Sequence, residues 1–223
     1  MPALRVLSYN VHGLRDDRQA LIRLVRELAP DVLVVQEAPR RFRWRQKCAA
    51  LAGDTGMLVG AGGLPALGNL LLVSLRVRVH ETWCMRYPLT PGRHLRGAAF
   101  LRGSVRGGGF TVSGSHLATD PAERPSQAAL WKEALERIEG PVIAAADLNE
   151  GPGGGAWRTV EDGLVSSSAG TFTYPATLPA RVIDGLFVTP DITIDRYEVV
   201  ASDLARRASD HLPVLADLTL PSS

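Results

Sequence analysis

Short apolar runs, most of them ending in a polar group, recur along the 223 residues of the chain. Leu4 to Tyr9 predicts a first strand, and Asp16 or Asp17 then caps a helix whose Leu21, Leu24, Val25 and Leu28 recur at helical spacing. Pro30 closes that helix. Val32 to Val35 is continuously apolar, the pattern of a strand covered on both faces. After the glycines from Gly60 to Gly63, Asn69 to Ser74 and the alternating stretch Val77 to Trp83 predict strands of a meander. Gly97 to Arg102 and Phe110 to His116 would pair across Gly107-Gly108-Gly109. Ala122 to Ile138 predicts a helix with Leu130, Trp131, Ala134, Leu135 and Ile138 on one face. Val142 to Ala146, Val182 to Val188, Ile192 to Val200 and Val214 to Leu218 complete a strand-rich second half. Gly151 to Gly155 is glycine-rich enough to be mobile and lacks the lysine of a phosphate-binding P-loop. Strands dominate, with two or three helices outside them, which fits an α/β (α+β) fold of two packed sheets. No linker is visible, so residues 1–223 read as a single domain.

Composition narrows the class. Hydrophobic residues at 45% and charged residues at 22% exclude disorder. The net charge of +2 hides a cluster in which Arg40, Arg41, Arg43, Arg45 and Lys47 enclose Phe42 and Trp44. Such interleaving suits a polyanion with bases or lipid tails to stack. The alternative, a solvated helix face with Trp44, Cys48 and Leu51 turned inward, is the preferred reading. Cys48 and Cys84 lack metal-site spacing and read as free thiols. No apolar run is long enough to span a bilayer, and the chain enters a strand at once, without a signal peptide's apolar segment. A cytoplasmic monomer is the expectation.

The polar groups that end the runs carry the chemistry. Glu37 directly follows apolar residues and Gln36, where a dry, unpaired carboxylate would be costly, so it should face a polar cleft as a ligand for a hard cation. Asp147 and Asn149, two apart, share one side of an extended segment, suited to orient a water and to donate to a phosphate oxygen; an Asx turn is the plain alternative. His211 is the candidate for phosphate binding and charge stabilisation. Asp184, embedded in Val182 to Phe187, is its candidate carboxylate partner. His116 ends a strand and could assist a departing oxygen. Arg96 either reaches the phosphate or is an exposed strand-end arginine. His12, His80 and His94 carry no comparable signal.

In their order and spacing, Ser8-Tyr9-Asn10-Val11-His12-Gly13, Gln36-Glu37, Gly68-Asn69, Ser115-His116-Leu117, Asp147-Leu148-Asn149, Ile183-Asp184 and Ser209-Asp210-His211 resemble the endonuclease/exonuclease/phosphatase superfamily of metal-dependent phosphoesterases. The resemblance implies a four-layered α/β/β/α sandwich with two mixed sheets flanked by helices and the site across one edge. It implies Mg²⁺, with Mn²⁺ as a substitute, near Asn10, Glu37 and Asp210. Asp147 and Asn149 would act on water and phosphate, and Asp184 would pair with His211. A histidine at His116 is closer to deoxyribonuclease-I-like, sphingomyelinase-like and tyrosyl-DNA-phosphodiesterase-like members than to abasic-site endonucleases, which tend to have tyrosine there. Ala146 replaces a usual glycine. Gly185 stands where a tyrosine often follows Asp184, which would open the pocket wall. The function implied is a Mg²⁺-dependent phosphodiesterase or nuclease using direct attack of water, with a phosphoester, nucleic acid included, as partner. A phosphatase or phosphodiesterase for a small or lipid-like ester, and a catalytically silent phosphate-binding module, are the alternatives.

Overall fold

The computed structural model describes residues 2–168 and 170–221. One sheet is built from β1 (Ala3–Asn10), β2 (Val32–Gln36), β3 (Leu58–Gly63), β4 (Asn69–Val73), β11 (Thr193–Val199) and β12 (Val214–Thr219). Its strand order is β11-β12-β1-β2-β4-β3. The other contains β5 (Arg78–Arg86), β6 (Gly97–Val105), β7 (Gly108–His116), β8 (Val142–Asp147), β9 (Val165–Ser166) and β10 (Asp184–Val188), in the order β5-β6-β7-β8-β10-β9. Each sheet has one parallel pair at its centre, β1 with β2 and β7 with β8; the other pairings are antiparallel.

The helices are α1 (Arg18–Leu28), α2 (Trp44–Thr55), α3 (Arg124–Glu136), α4 (Gly155–Glu161) and α5 (Asp203–Ala208). Successive strand residues point to opposite faces, so Val6 and Val34 meet Leu71, Leu101 and Val112 between the sheets while Leu7 and Val35 pack under α1, α2 and α5. Phe100 and Phe187 of the second sheet pack against Trp131 of α3 and Trp157 of α4. The result is the expected α/β/β/α sandwich. Each fully buried aliphatic or aromatic side chain contributes about 1.5–3 kcal/mol, and this core fixes the strand ends from which the site is built.

Local signals act as anticipated in α1: Asp17 accepts from the backbone of Gln19 and Ala20, both at 3.0 Å, and Ala29 in the left-handed region ends the helix before Pro30. Elsewhere the structure corrects the expectations. The glycines from Gly60 to Gly63, which carried no assignment, belong to an edge strand, β3. The chain changes sheet between β4 and β5, so the meander is confined to β5, β6 and β7. Only Trp44 onward is helical, leaving Arg40 to Arg43 outside α2. The Gly151 to Gly155 stretch leads into α4, whose Ala156 N–H is taken by Glu150 at 2.8 Å while Glu150 also pairs with Arg124 at 3.2 Å. Cys48 and Cys84 are free. Among the described residues no helix is long and apolar enough to cross a membrane.

Candidate active site

The parallel strands deliver the chemistry. Asn10 ends β1, His116 ends β7 and Asp147 ends β8, while Asp184 opens the antiparallel β10. Register places Asp147 opposite both His116 and Asp184 in neighbouring strands of one sheet. Asn10 reaches it from the other sheet, and His211 arrives on the turn between α5 and β12.

Asp147 is buried and its Oδ2 is the meeting point. Asn10 Nδ2 donates to it at 2.9 Å, His116 Nε2 lies at 3.1 Å and His211 Nε2 at 3.8 Å. Its Oδ1 accepts from the Asn149 backbone N–H at 2.9 Å, closing an Asx turn in which Asn149 has φ 52°. The turn and the functional reading are therefore one arrangement: it holds the Asn149 amide beside His116 Nε2 and Leu117 O, both at 3.0 Å.

His211 Nδ1 lies 2.9 Å from Asp184 Oδ2, as the apolar setting of that carboxylate implied. Burial pulls the imidazole towards neutrality, but Asp184, Asp147 and Asp210 together outweigh it and raise the pKa from 6.5 to about 10. His211 is an imidazolium at neutral pH. The Tyr174 ring lies against it, tilted by 51° with 4.9 Å between centroids. Asp147, Asp184 and His211 are close enough together to hold a metal ion. Their contacts run in a chain, with His211 Nδ1 paired to Asp184 and its Nε2 turned towards Asp147.

His116 differs. Arg96 donates to its Nδ1 at 3.0 Å, which leaves the ring proton on Nε2, facing Asp147. Burial lowers its pKa to about 3, with Arg96 and His211 adding to the effect against Asp147. At neutral pH the ring is therefore neutral, and the proton it could offer a departing oxygen is the weakly acidic one on Nε2. Arg96 is 9% exposed and lines the cavity, which overturns the exposed strand-end reading.

A cavity of about 1200 Å³ opens over these groups. Glu37, Asp210 and Asn10 line it. Glu37 sits at φ 57° and its carboxylate makes no hydrogen bond or ion pair among the described residues. Asp210 lies 3.8 Å from His12. A free carboxylate, a half-exposed one and an amide oxygen are the donors of a hard divalent cation that keeps several waters, so the residues fit Mg²⁺.

Other expectations find different places. Gln36 is buried in the sheet and donates to Ser8 at 3.2 Å, and Asn69 ties the sheets together through Ala66 O and Gly97 O at 2.9 and 2.7 Å. Neither lines the cavity. A side chain at Gly185 would meet the rings of Phe187 and Trp157 within 2.9 Å, so this glycine belongs to the packing under α4 and opens no pocket wall. Sequence reasoning missed Tyr174, Arg181 and His12, all in the cavity lining, because an isolated residue of these types carries no signal without its neighbours. Arg124 and Gln127 are supports: Arg124 donates to Asn149 O at 3.0 Å and Gln127 accepts from Ala118 N at 2.8 Å.

Residues 7–211, spanning the whole constellation, match the Endonuclease/Exonuclease/phosphatase family. The chain belongs to this family. Its members are generally divalent-metal-dependent phosphoester hydrolases. No curated protein matches the chain by sequence. Among solved structures, the family member from Bacteroides vulgatus is similar over 99% of this chain and 100% of its own, with a TM-score of 0.82 at 18% identity. D. rerio TDP2 complexed with single-strand DNA product has a TM-score of 0.80 at 19% identity, over 97% and 99% of the two chains. Bacteroides thetaiotaomicron mannosyl-6-phosphatase Bt3783 has a TM-score of 0.81 at 18% identity, over 97% and 100%. These likenesses establish the phosphoesterase fold.

Proposed function

We propose that the protein is a Mg²⁺-dependent hydrolase of phosphodiesters, acting by direct in-line attack of water on phosphorus. The observation that carries this reading is the His211 imidazolium, held by Asp184 and adjoining Asp147, under one cavity with the unpartnered carboxylate of Glu37. Mg²⁺ held by Glu37, Asp210 and Asn10 would place positive charge on a phosphate oxygen, and Mn²⁺ suits the same donors.

The chain's own groups do the rest. Asp147 orients the attacking water and accepts its proton. Asn10 and His116, each within 3.1 Å of Oδ2, hold that carboxylate in place. His211, charged before the reaction begins, stabilises the charge that develops on the phosphoryl oxygens, a contribution of about 10²–10³ in rate for one preorganised donor. Asn149 presents its amide to a phosphate oxygen. Arg96 fixes the His116 tautomer and adds positive charge at the phosphate.

A diester in a polyanion is favoured over a monoester because Arg15, Arg40, Arg41, Arg43 and Lys47 also line the cavity, more positive charge than one terminal phosphate requires. The single-strand DNA product carried by D. rerio TDP2 in a similar fold supports this reading. The likeness to a mannosyl-6-phosphatase supports a small-molecule phosphatase as the second reading. Hydrolysis of bis(p-nitrophenyl) phosphate, p-nitrophenyl phosphate and a labelled oligonucleotide, with Mg²⁺ or with excess chelator, decides between them. Diester cleavage that stops in chelator is expected. A preference for the monoester would make the phosphatase the reading to keep, and full activity in chelator would remove the metal from the mechanism.

A further inference from the structure

The segment Arg40 to Lys47 is more than a solvated helix face. Phe42 is 84% exposed on the irregular stretch before α2, and its ring has no aromatic or cationic partner among the described residues. The stretch is nevertheless anchored at both ends. Arg40 donates to Leu67 O at 3.0 Å and Leu95 O at 3.1 Å. Trp44 lies so close to Gly63 that a Cβ there would come within 2.5 Å of its ring, and the Arg45 guanidinium covers the indole at 4.6 Å. An apolar ring held out to water on an anchored loop has a cost that a stacking partner would remove.

The charges of the same segment point the same way, with Phe42 itself just outside the cavity lining. Arg41, Arg43 and Lys47 line the catalytic cavity and form no ion pair among the described residues, as does Arg15 from the segment before α1. No acidic residue in the first turn of α2 offsets them. Arg18, by contrast, is neutralised by Asp54 at 2.6 Å.

We infer that Phe42 with Arg41, Arg43 and Lys47 forms a binding subsite for single-stranded nucleic acid, in which one base stacks on the Phe42 ring while the cations follow the phosphates towards Asp147. This rests on the phosphodiesterase reading and names its substrate class. A free aromatic face takes a base of any kind, and cations along a groove follow a flexible backbone. A duplex keeps its base faces stacked inside and offers none to the ring. A bilayer is a plane, whereas these cations line a recess.

The test is fluorescence anisotropy with a labelled oligothymidylate, in excess chelator so that nothing is cleaved, alongside a blunt duplex and phosphatidylserine/phosphatidylcholine vesicles. Phe42→Leu keeps the apolar volume and removes the stacking face, and should weaken single-strand binding by about five- to hundredfold, while Phe42→Trp retains it. Arg41→Ala with Arg43→Ala should lower the slope of log affinity against log salt by about 0.7 per lost phosphate contact. Melting curves confirm that each variant folds. Single-strand binding that Phe42→Leu leaves unchanged, equal affinity for the duplex, or vesicle binding without oligonucleotide binding would each overturn the inference. Because binding is read in chelator, its failure is separate from failure of metal-dependent hydrolysis on bis(p-nitrophenyl) phosphate.

Discussion

Replacing Asp184 by Asn keeps the shape of the side chain and removes the nearest counter-ion of His211. At about 1.4 kcal/mol per pH unit, lifting the imidazole from 6.5 to about 10 corresponds to a net preference for the charged ring of about 5 kcal/mol. Burial works against this, and Asp184 supplies both the leading opposing charge and, among the described residues, the only direct carboxylate hydrogen bond, at 2.9 Å. Asp147 and Asp210 remain in the variant, with neutral His116 and the Tyr174 ring on the other sides. The alkaline limb of kcat/KM on bis(p-nitrophenyl) phosphate in saturating Mg²⁺ should therefore move down by about one to three pH units in Asp184→Asn. Near pH 8.5 the loss should reach about thirtyfold if the shift is the full three units, within the worth of one preorganised donor, and near pH 5.5 most of it should be recovered as the ring charges again. His211→Ala should lose activity at every pH, and the double variant should lose little more, because the two groups act as a unit. Stability carries the same signature. A folded pKa above the unfolded value gives stabilisation that is complete below about 6.5 and is lost as pH rises towards about 10. The wild type should thus lose more melting temperature between pH 7 and 10 than Asp184→Asn. A variant profile parallel to the wild type, or fully multiplicative losses in the double variant, would refute the reasoning.

Glu37→Gln should raise the Mg²⁺ needed for half-maximal rate by at least about tenfold while leaving the melting curve in chelator unchanged; an unaltered metal titration would remove Glu37 from the cation site. His116→Ala should lower kcat/KM by similar factors on a nitrophenyl diester and an alkyl diester, since a ring with a pKa near 3 is neutral and its one N–H is too weak an acid to assist either leaving group; a loss confined to the alkyl diester would show that His116 does assist the departing oxygen. Gly114→Ala should cost about 1–3 kcal/mol in urea unfolding, because its Cβ would lie 2.5 Å from Val34 Cγ1 between the sheets, and an unchanged midpoint would show that the sheets part freely there.

The strands that carry the site were readable because burial on both faces demands uninterrupted apolar residues, as in Val32 to Val35 and Val142 to Ala146. Asp184 was readable for the complementary reason: a charge inside such a run needs a partner. β3 was not, since the run Gly60 to Gly63 has the composition of a turn and becomes a strand only through pairing with β4. α4 and α5, at seven and six residues, are too short to show a helical period and depend on tertiary packing. The tautomer and charge of His116 depend on Arg96, twenty residues away, meeting it across paired strands. Sequence spacing cannot report such a meeting. The family resemblance marked Asn10 and Asp210, which local pattern alone would have left as a strand end and a turn.

β12 lies inside its sheet, between β1 and β11, and the turn that precedes it carries His211. Asn10 is 137 residues from Asp147 and 201 from His211, so the contacts that bring β1 into the site close long loops of chain. Helices and neighbouring hairpins can form early and locally, but such distant contacts come late because their loop entropy is spent before they return anything. During synthesis the sheet containing β1 has an open edge until β12 slides in beside it. Catalytic competence is thus tied to completion of the fold: a chain stalled before its last strand holds no assembled centre with which to cut phosphoesters around it.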